Sequence, residues 1–202
     1  QQLDEPFADS SFVATFLLSK FTSDKRVVVL GGDGGDEAFG GYERYRLMKL
    51  AHGDSLIGKN GAVLSKLVSV IPSSRFLPKR LAKVKQILGG SSNPLTQYQN
   101  LMSWIPQSEI NALMGDLVEL ELHKWFELNL SKSLIPDRGY EFSANLWDIS
   151  SYLPGDLLPK VDIASMAFGL EVRSPFLDSE IMSFGLSIPD NLRSRFHSCN
   201  SK

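Results

Sequence analysis

Three carboxylates and four glycines share the seven residues 31–37, in the order Gly31-Gly32-Asp33-Gly34-Gly35-Asp36-Glu37. Glycine lets backbone approach a ligand closely and take up positive φ. A helix that starts just after such a turn presents unpaired N–H groups, which suit phosphate. Carboxylates beside a phosphate repel it unless a cation lies between, and Mg²⁺ takes carboxylate and phosphate oxygens together. A second use for Asp33, Asp36 or Glu37 is to hold a cationic or amine-bearing substrate. The blandest use is a glycine-rich loop whose acids cap a helix, because short glycine motifs are weak signals.

Something must position these groups. Residues 27–30 are four apolar side chains, three of them β-branched, bounded by glycine. Such a run predicts a buried parallel strand. After the turn, Ala38, Tyr42, Tyr45 and Met48 recur at helical spacing. The local pattern is therefore strand, acidic turn, helix, and in open α/β sheets ligands gather at the carboxyl ends of strands. Upstream, Asp9 stands where an N-cap should, before a helix carrying Phe12, Val13, Phe16, Leu17 and Phe21. Its wide apolar set predicts deep burial. A helix feeding a strand argues for a parallel sheet, with the partner strands expected outside these 202 residues.

A second charged segment follows residue 155. Asp156 can cap a helix whose first turn tolerates Pro159. Leu157, Val161, Ala164 and Phe168 form its core-facing stripe, with Lys160 and Asp162 off the stripe, and Gly169 is a natural C′ residue. Residues 170–176 read as extended, with Glu171 and Arg173 opposite Leu170 and Val172 and placed to pair. Pro175 bars a central strand. From Asp178 an apolar helix leads to Ile188-Pro189.

Between the two segments, residues 61–70 and 77–88 have helical periodicity, the latter with a solvated basic face. Residues 89–94 form a flexible linker. Helices are predicted over 94–103, 106–114 and 116–130. Another carries Leu146, Ile149 and Leu153 and is closed by Pro154-Gly155. Trp104, Trp125 and Trp147 read as core. His52, His123 and His197 lack metal-ligand spacing.

Twenty-one basic and 23 acidic residues give a net charge of −2, with 43% hydrophobic content. No basic excess points to nucleic acid. No apolar run approaches the roughly 20 residues that span a bilayer. The lone Cys199 cannot staple the fold and fits a reducing interior, so a cytoplasmic location is expected. The chain opens on Gln1 rather than Met, which suggests a fragment of a longer protein.

Two motifs in order carry a family resemblance. Gly31-Gly32-Asp33-Gly34-Gly35-Asp36-Glu37-Ala38-Phe39-Gly40-Gly41-Tyr42 resembles the S-G-(D/E)-G-x-D-E-x-F-G-G-Y motif of the glutamine-hydrolysing asparagine synthetase family. Lys160-Val161-Asp162-Ile163-Ala164-Ser165-Met166-Ala167, followed by residues 169–178, resembles that family's K-V-D-R-A-S-M-A and L-E-V-R-x-P-F-L-D signature. A shorter match is Asp4-Glu5-Pro6-Phe7.

The resemblance implies that residues 1–202 are the C-terminal part of the synthetase domain. The implied parent fold is an α/β adenine-nucleotide α-hydrolase-like fold of ATP-pyrophosphatase type, of which this part is mostly helical with one or two parallel strands. It implies ATP and Mg²⁺, aspartate as the acceptor, and ammonia from a glutaminase domain ahead of this segment. Carried over by position, Gly31, Gly32 and Asp33 would meet the nucleotide. Asp33 and Lys160 would be catalytic, and Asp36 and Glu37 would hold the metal. The family more often has Ser where this chain has Gly31, and a basic residue where it has Ile163.

The family's S-G-G-x-D-S phosphate loop is not found here and is expected upstream. The isolated fragment is therefore expected neither to hydrolyse glutamine nor to make asparagine, which titration with ATP–Mg²⁺ tests. Rival acceptors within the family are sugar acids of surface polysaccharides and the ring closure of β-lactam synthetases. From another class, a helical interaction module without activity is the alternative.

Overall fold

The computed structural model describes residues 7–52, 93–103 and 138–193, with single positions between 105 and 135. The expected helices at 61–70, 77–88, 106–114 and 116–130 lie outside the described residues or touch only isolated positions of them. So do most of the 89–94 linker, Asp4-Glu5-Pro6, Trp104, Trp125, His123, His197 and the tail past Arg193. Among the described residues no helix is long and apolar enough to cross a membrane. The chain divides into two units, one of residues 1–41 with 148–202, the other of residues 42–147.

The first unit is built on a parallel strand pair. Helix α1 (Ser11–Ser23) leads through Asp24-Lys25-Arg26 to strand β1 (Val28–Leu30). Strand β2 (Glu171–Arg173) runs parallel to it, with Val28 opposite Glu171, Val29 opposite Val172 and Leu30 opposite Arg173. The ladder extends at both ends. The Glu171 N–H donates to the Val27 carbonyl at 2.9 Å, and the Gly31 N–H donates to the Arg173 carbonyl at 2.8 Å. The chain thus supplies one partner strand itself, correcting the expectation that every partner lies elsewhere. Pro175 is compatible with this because the ladder ends before it, and a 3₁₀ turn (Pro175–Leu177) follows.

Burial departs from the sequence expectation at both α1 and β1. Val27 and Leu30 are 74% and 75% exposed, and Val13, Leu17, Leu18 and Phe21 are 59–65% exposed. The apolar residues of α1 are spread around the helix, and one stripe finds a partner. Phe16 meets Phe168 edge-on at a centroid distance of 4.7 Å, where α1 packs along helix α6 (Leu158–Met166).

Helix α2 (Gly35–Phe39) is short, correcting the continuous helix read from Ala38 through Met48. The flanking Gly34 (φ 88°) and Gly40 (φ 73°) are both left-handed, a region costly to other L-residues. The chain turns at Gly40-Gly41 and starts again as α3 (Glu43–His52), so the apolar periodicity ran across a break.

The Pro154-Gly155 stop is also overturned. Residues Asp148–Leu157 wind as a wide π-type helix that contains Pro154 and runs directly into α6. Proline lacks an N–H and crowds the carbonyl four residues back. A wider turn changes the carbonyl it meets, so the chain keeps winding. Asp156 consequently lies inside the helical run instead of capping it. Gly169 does end α6 with φ 63°. Asp178 caps α7 (Ser179–Ser187), its carboxylate accepting the Glu180 N–H at 2.9 Å. The short α8 (Asp190–Arg193) completes this unit.

The second unit is helical. Helix α3 packs on α5 (Tyr140–Trp147) and on α4 (Pro94–Met102). Tyr45, Met48, Tyr98, Phe142 and Trp147 are buried. Tyr98 meets Trp147 in a T-shaped pair at 5.6 Å, so Trp147 is core, as its context predicted. The Arg44 Nε–H donates to the Tyr98 hydroxyl at 3.1 Å. His52 shares a hydrogen bond with Gln97 at 2.7 Å.

Candidate functional site

The parallel register puts the carboxyl ends of β1 and β2 side by side, and each runs into one of the two sequence motifs. Gly31 and Gly32 lead from β1 into the acidic turn; Ser174 follows β2. At this junction the Ser174 hydroxyl lies 3.4 Å from Asp33 Oδ2, a long contact between residues 141 positions apart. The close approach depends on Gly31. A Cβ there would stand 2.9 Å from Val172 Cγ1 and 3.0 Å from Asp33 Oδ2. At such distances a side chain at position 31 would require the Val172 and Asp33 side chains to shift. A hydroxyl is nevertheless present, on Ser174. Sequence reasoning gave Ser174 no role; only strand pairing reveals it.

The three acids of the turn have different surroundings. Asp33 is half-buried beside Ser174, and Asp36 is exposed. Its carboxylate lies against Gly41, where any Cβ would run into it. Glu37, the next residue, is 1% exposed. Among the described residues no group of three His, Cys, Asp or Glu side chains could hold a metal by itself. Mg²⁺ does not demand such a cage, since it is commonly held by one or two carboxylates together with substrate phosphates. Asp36 fits that use through its exposure. Glu37 is enclosed beside Asp36, and a buried carboxylate must be paired, hydrogen-bonded or bound to a cation.

Two further contacts lock α2 in place. The buried Arg193 donates from Nη2 to the Ala38 carbonyl at 3.1 Å. On another side, Gly185 of α7 packs so closely that a Cβ would come within 2.6 Å of the same oxygen.

Lys160 is where sequence and structure differ most. It lies off the apolar stripe of its helix, yet it is 8% exposed. Its ammonium donates to Asp9 Oδ2 at 2.7 Å and to the Ser11 hydroxyl at 2.9 Å. Among the described residues no hydrogen bond or ion pair joins Lys160 to Asp33 or Asp36. Asp9 does serve the start of α1, as predicted, although the helix begins two residues later. Its Oδ1 accepts the Ser11 N–H at 2.8 Å.

Burial pushes the Asp9 carboxyl up, but the hydrogen bonds from Lys160 and Ser11 and the Lys160 charge outweigh it and hold the group below its usual value. Asp156 is shifted the opposite way. Burial raises it first, the Asp9 charge adds to that, and Lys160 and a Tyr152 hydrogen bond only partly oppose them. Ile163, at the position basic in the family motif, is half-buried. Glu171 and Arg173 pair at 2.6 Å on the exposed side of β2, the loop-fixing ion pair expected from their spacing.

Known proteins match this chain along most of its length. It is 27% identical over 201 residues to asparagine synthetase 1 (glutamine-hydrolysing) of Bacillus subtilis, covering 95% of this chain and 29% of that protein. It is 30% identical over 193 residues to a Mycobacterium bovis protein, covering 93% of this chain and 28% of the other. That protein's designation as a glutamine-hydrolysing asparagine synthetase is itself provisional. The chain thus spans less than a third of the length of these relatives. No solved structure matches it. The model of the asparagine synthase family matches residues 1–197, and with both signature motifs meeting at one sheet end, the chain belongs to that family.

Proposed function

We propose that this chain is the carboxyl-terminal part of a synthetase that uses ATP to amidate a carboxylate, with aspartate as acceptor and asparagine as product. The observation that carries this reading is the meeting of the two motifs: parallel pairing of β1 with β2 sets Asp33 against Ser174 at the end of the sheet. In α/β proteins that is where ligands bind.

A carboxylate is a poor electrophile, so amidation requires a better leaving group on its carbon. The aspartate side-chain oxygen attacks the α-phosphorus of ATP, pyrophosphate departs, and the carboxyl carbon becomes an acyl-adenylate. Neutral ammonia, supplied from glutamine by a glutaminase domain of the full-length protein, then displaces AMP. In this chain Gly31 and Gly32 offer backbone close to the nucleotide. Asp33 orients the acyl-adenylate or accepts the proton that ammonia sheds. Lys160 offsets the negative charge that develops as pyrophosphate leaves. Asp36, with Glu37 beside it, would hold Mg²⁺, which supplies positive charge between the polyanions.

The full-length protein, given ATP, Mg²⁺, glutamine and aspartate, should release pyrophosphate only when aspartate is present. Asp33→Asn should lower that rate by about 100-fold, the scale of losing one positioned charged group in a site of this kind. Pyrophosphate release that ignores aspartate, or that survives Asp33→Asn, would sink the proposal. Residues 1–202 alone should release none.

A further inference from the structure

Asp9 has no part in the chemistry described so far, yet it makes the shortest polar contact of Lys160. We propose that Asp9, with the Ser11 hydroxyl, is the positioning residue for the Lys160 ammonium. The pair fixes where that cation stands and leaves one of its protons for an incoming anion. The proposal rests on the role given to Lys160 in the activation step.

A lysine head sits on a flexible four-carbon stem, and on an open surface it would sample many positions. Here both partners are largely enclosed, with side chains 11% and 21% exposed. Solvent screens such a pair less than a surface pair. The carboxylate that receives the ammonium is itself held. One oxygen takes the Ser11 N–H at 2.8 Å while the other takes Lys160 at 2.7 Å. Ser11 therefore holds Asp9 by its backbone and Lys160 by its hydroxyl, at 2.9 Å. Helix α1 in turn packs along the helix bearing Lys160, with Phe16 edge-on to Phe168 just past that helix's end at 4.7 Å.

An ammonium has three donors. Two are committed, to Asp9 and to Ser11, and no other hydrogen bond of Lys160 is present among the described residues. The third has its direction set by the first two. Asp156 adds a second acidic group near this cation; its carboxyl responds to the charges of both Asp9 and Lys160. The arrangement joins two segments 151 residues apart, which is why neither motif reveals it alone.

The test uses the full-length protein and two readouts. Pyrophosphate release measures catalysis. Competitive acetic anhydride labelling, quantified on the Lys160 peptide, measures how firmly the ammonium is held whether or not the protein is active. Asp9→Asn keeps the shape and removes the charge. It should lower kcat by about 10- to 100-fold, the penalty of a misplaced catalytic group, while the KM for aspartate stays within about twofold, as for loss of an interaction felt mainly in the transition state. Lys160 labelling should rise severalfold in the same variant. Asp9→Glu should recover the protection and part of kcat, and Ser11→Ala should show a weaker form of both losses. These two carry the test if Asp9→Asn does not fold.

Unchanged or increased kcat in Asp9→Asn would mean that Asp9 merely neutralises Lys160, and would overturn the proposal. Unchanged labelling would overturn it as well. If the wild-type protein releases no pyrophosphate with aspartate, the activation role fails, while labelling still decides whether Asp9 holds Lys160.

Discussion

The two units of this chain reach order by different means. In the unit of residues 42–147, large side chains fill the space between helices: Tyr98 on α4, Trp147 and Phe142 on α5, Tyr45 and Met48 on α3. In the other unit, close backbone approach and a few charged contacts are added to aromatic pairs such as Phe16 with Phe168 and Phe39 with Phe176. Gly31 admits Asp33 and Ser174, Gly185 meets the Ala38 carbonyl, Arg193 caps the same carbonyl, and Lys160 bridges to Asp9. The unit built from aromatic packing contributes scaffolding. The unit built from glycines and charges contains all the candidate site residues. Close packing by aromatics tolerates no loss of volume, whereas close packing by glycine tolerates no gain. The two should therefore fail under opposite substitutions.

The largest effect is expected from Tyr98→Ala, which removes a buried ring, its edge contact with Trp147 and its hydrogen bond with Arg44. The cost should be about 3–5 kcal/mol, as for other large aromatic truncations. Amide hydrogen exchange should show the loss in α3, α4 and α5 while β1 and α2 keep their protection. Equal loss in both units would show that they unfold together and would break the contrast.

Next comes the reverse change. Gly185→Ala puts a methyl group 2.6 Å from the Ala38 carbonyl oxygen. Overpacking of this sort costs about 1–3 kcal/mol. Exchange should quicken in α2 and α7, with α5 unaffected. A stabilised Gly185→Ala protein would mean that this contact is not tight.

The units should also differ in how they respond to acid. Burial lowers the His52 imidazole below its ordinary 6.5, against the opposing hydrogen bond with Gln97. Its folded form therefore takes up a proton less readily than the unfolded chain. The associated stability is present above pH 6.5 and declines as pH falls below that value. Asp9, held low by Lys160 and Ser11 against its own burial, contributes stability above 3.8 that disappears as pH falls through its lowered value. Asp156 has the opposite sign. Its raised value favours the fold in acid, and that share is lost as pH rises from 3.8 through the raised value. Exchange from α3 should thus quicken at mildly acidic pH, before exchange from α1 does. His52→Gln should remove that early step.

The smallest effect is assigned to the ion pair on β2. Glu171 and Arg173 are 52% and 66% exposed in their side chains. Breaking such a pair with Glu171→Gln should cost about 0.5 kcal/mol or less. A measured loss several times larger would mean that this face of β2 is covered in the full-length protein.

Charge order and several turn and helix-end positions are local properties, and they were legible in the chain itself. The acidic turn after the valines, the C′ role of Gly169, the helix leading on from Asp178, the core place of Trp147 and the Glu171–Arg173 pair follow from neighbours a few residues apart. Each reflects a backbone or side-chain preference that acts at short range. The break at Gly40-Gly41 and the passage through Pro154 were misread because apolar periodicity does not register a left-handed glycine or a widened turn. The exposure of α1 and β1 was misread for a related reason: an apolar residue shows a tendency toward burial, and the fold decides which faces find partners.

What only the tertiary structure decided is the set of long-range pairings. Ser174 reaches Asp33 across 141 residues, Lys160 reaches Asp9 across 151, and Arg193 reaches the Ala38 carbonyl across 155. No periodicity or motif spacing encodes such contacts. They arise when a parallel ladder sets two strand ends level and when two helices dock along one face, so they depend on how the whole unit packs. The sequence by itself determined which residues are chemically able to act. The fold determined which of them stand together.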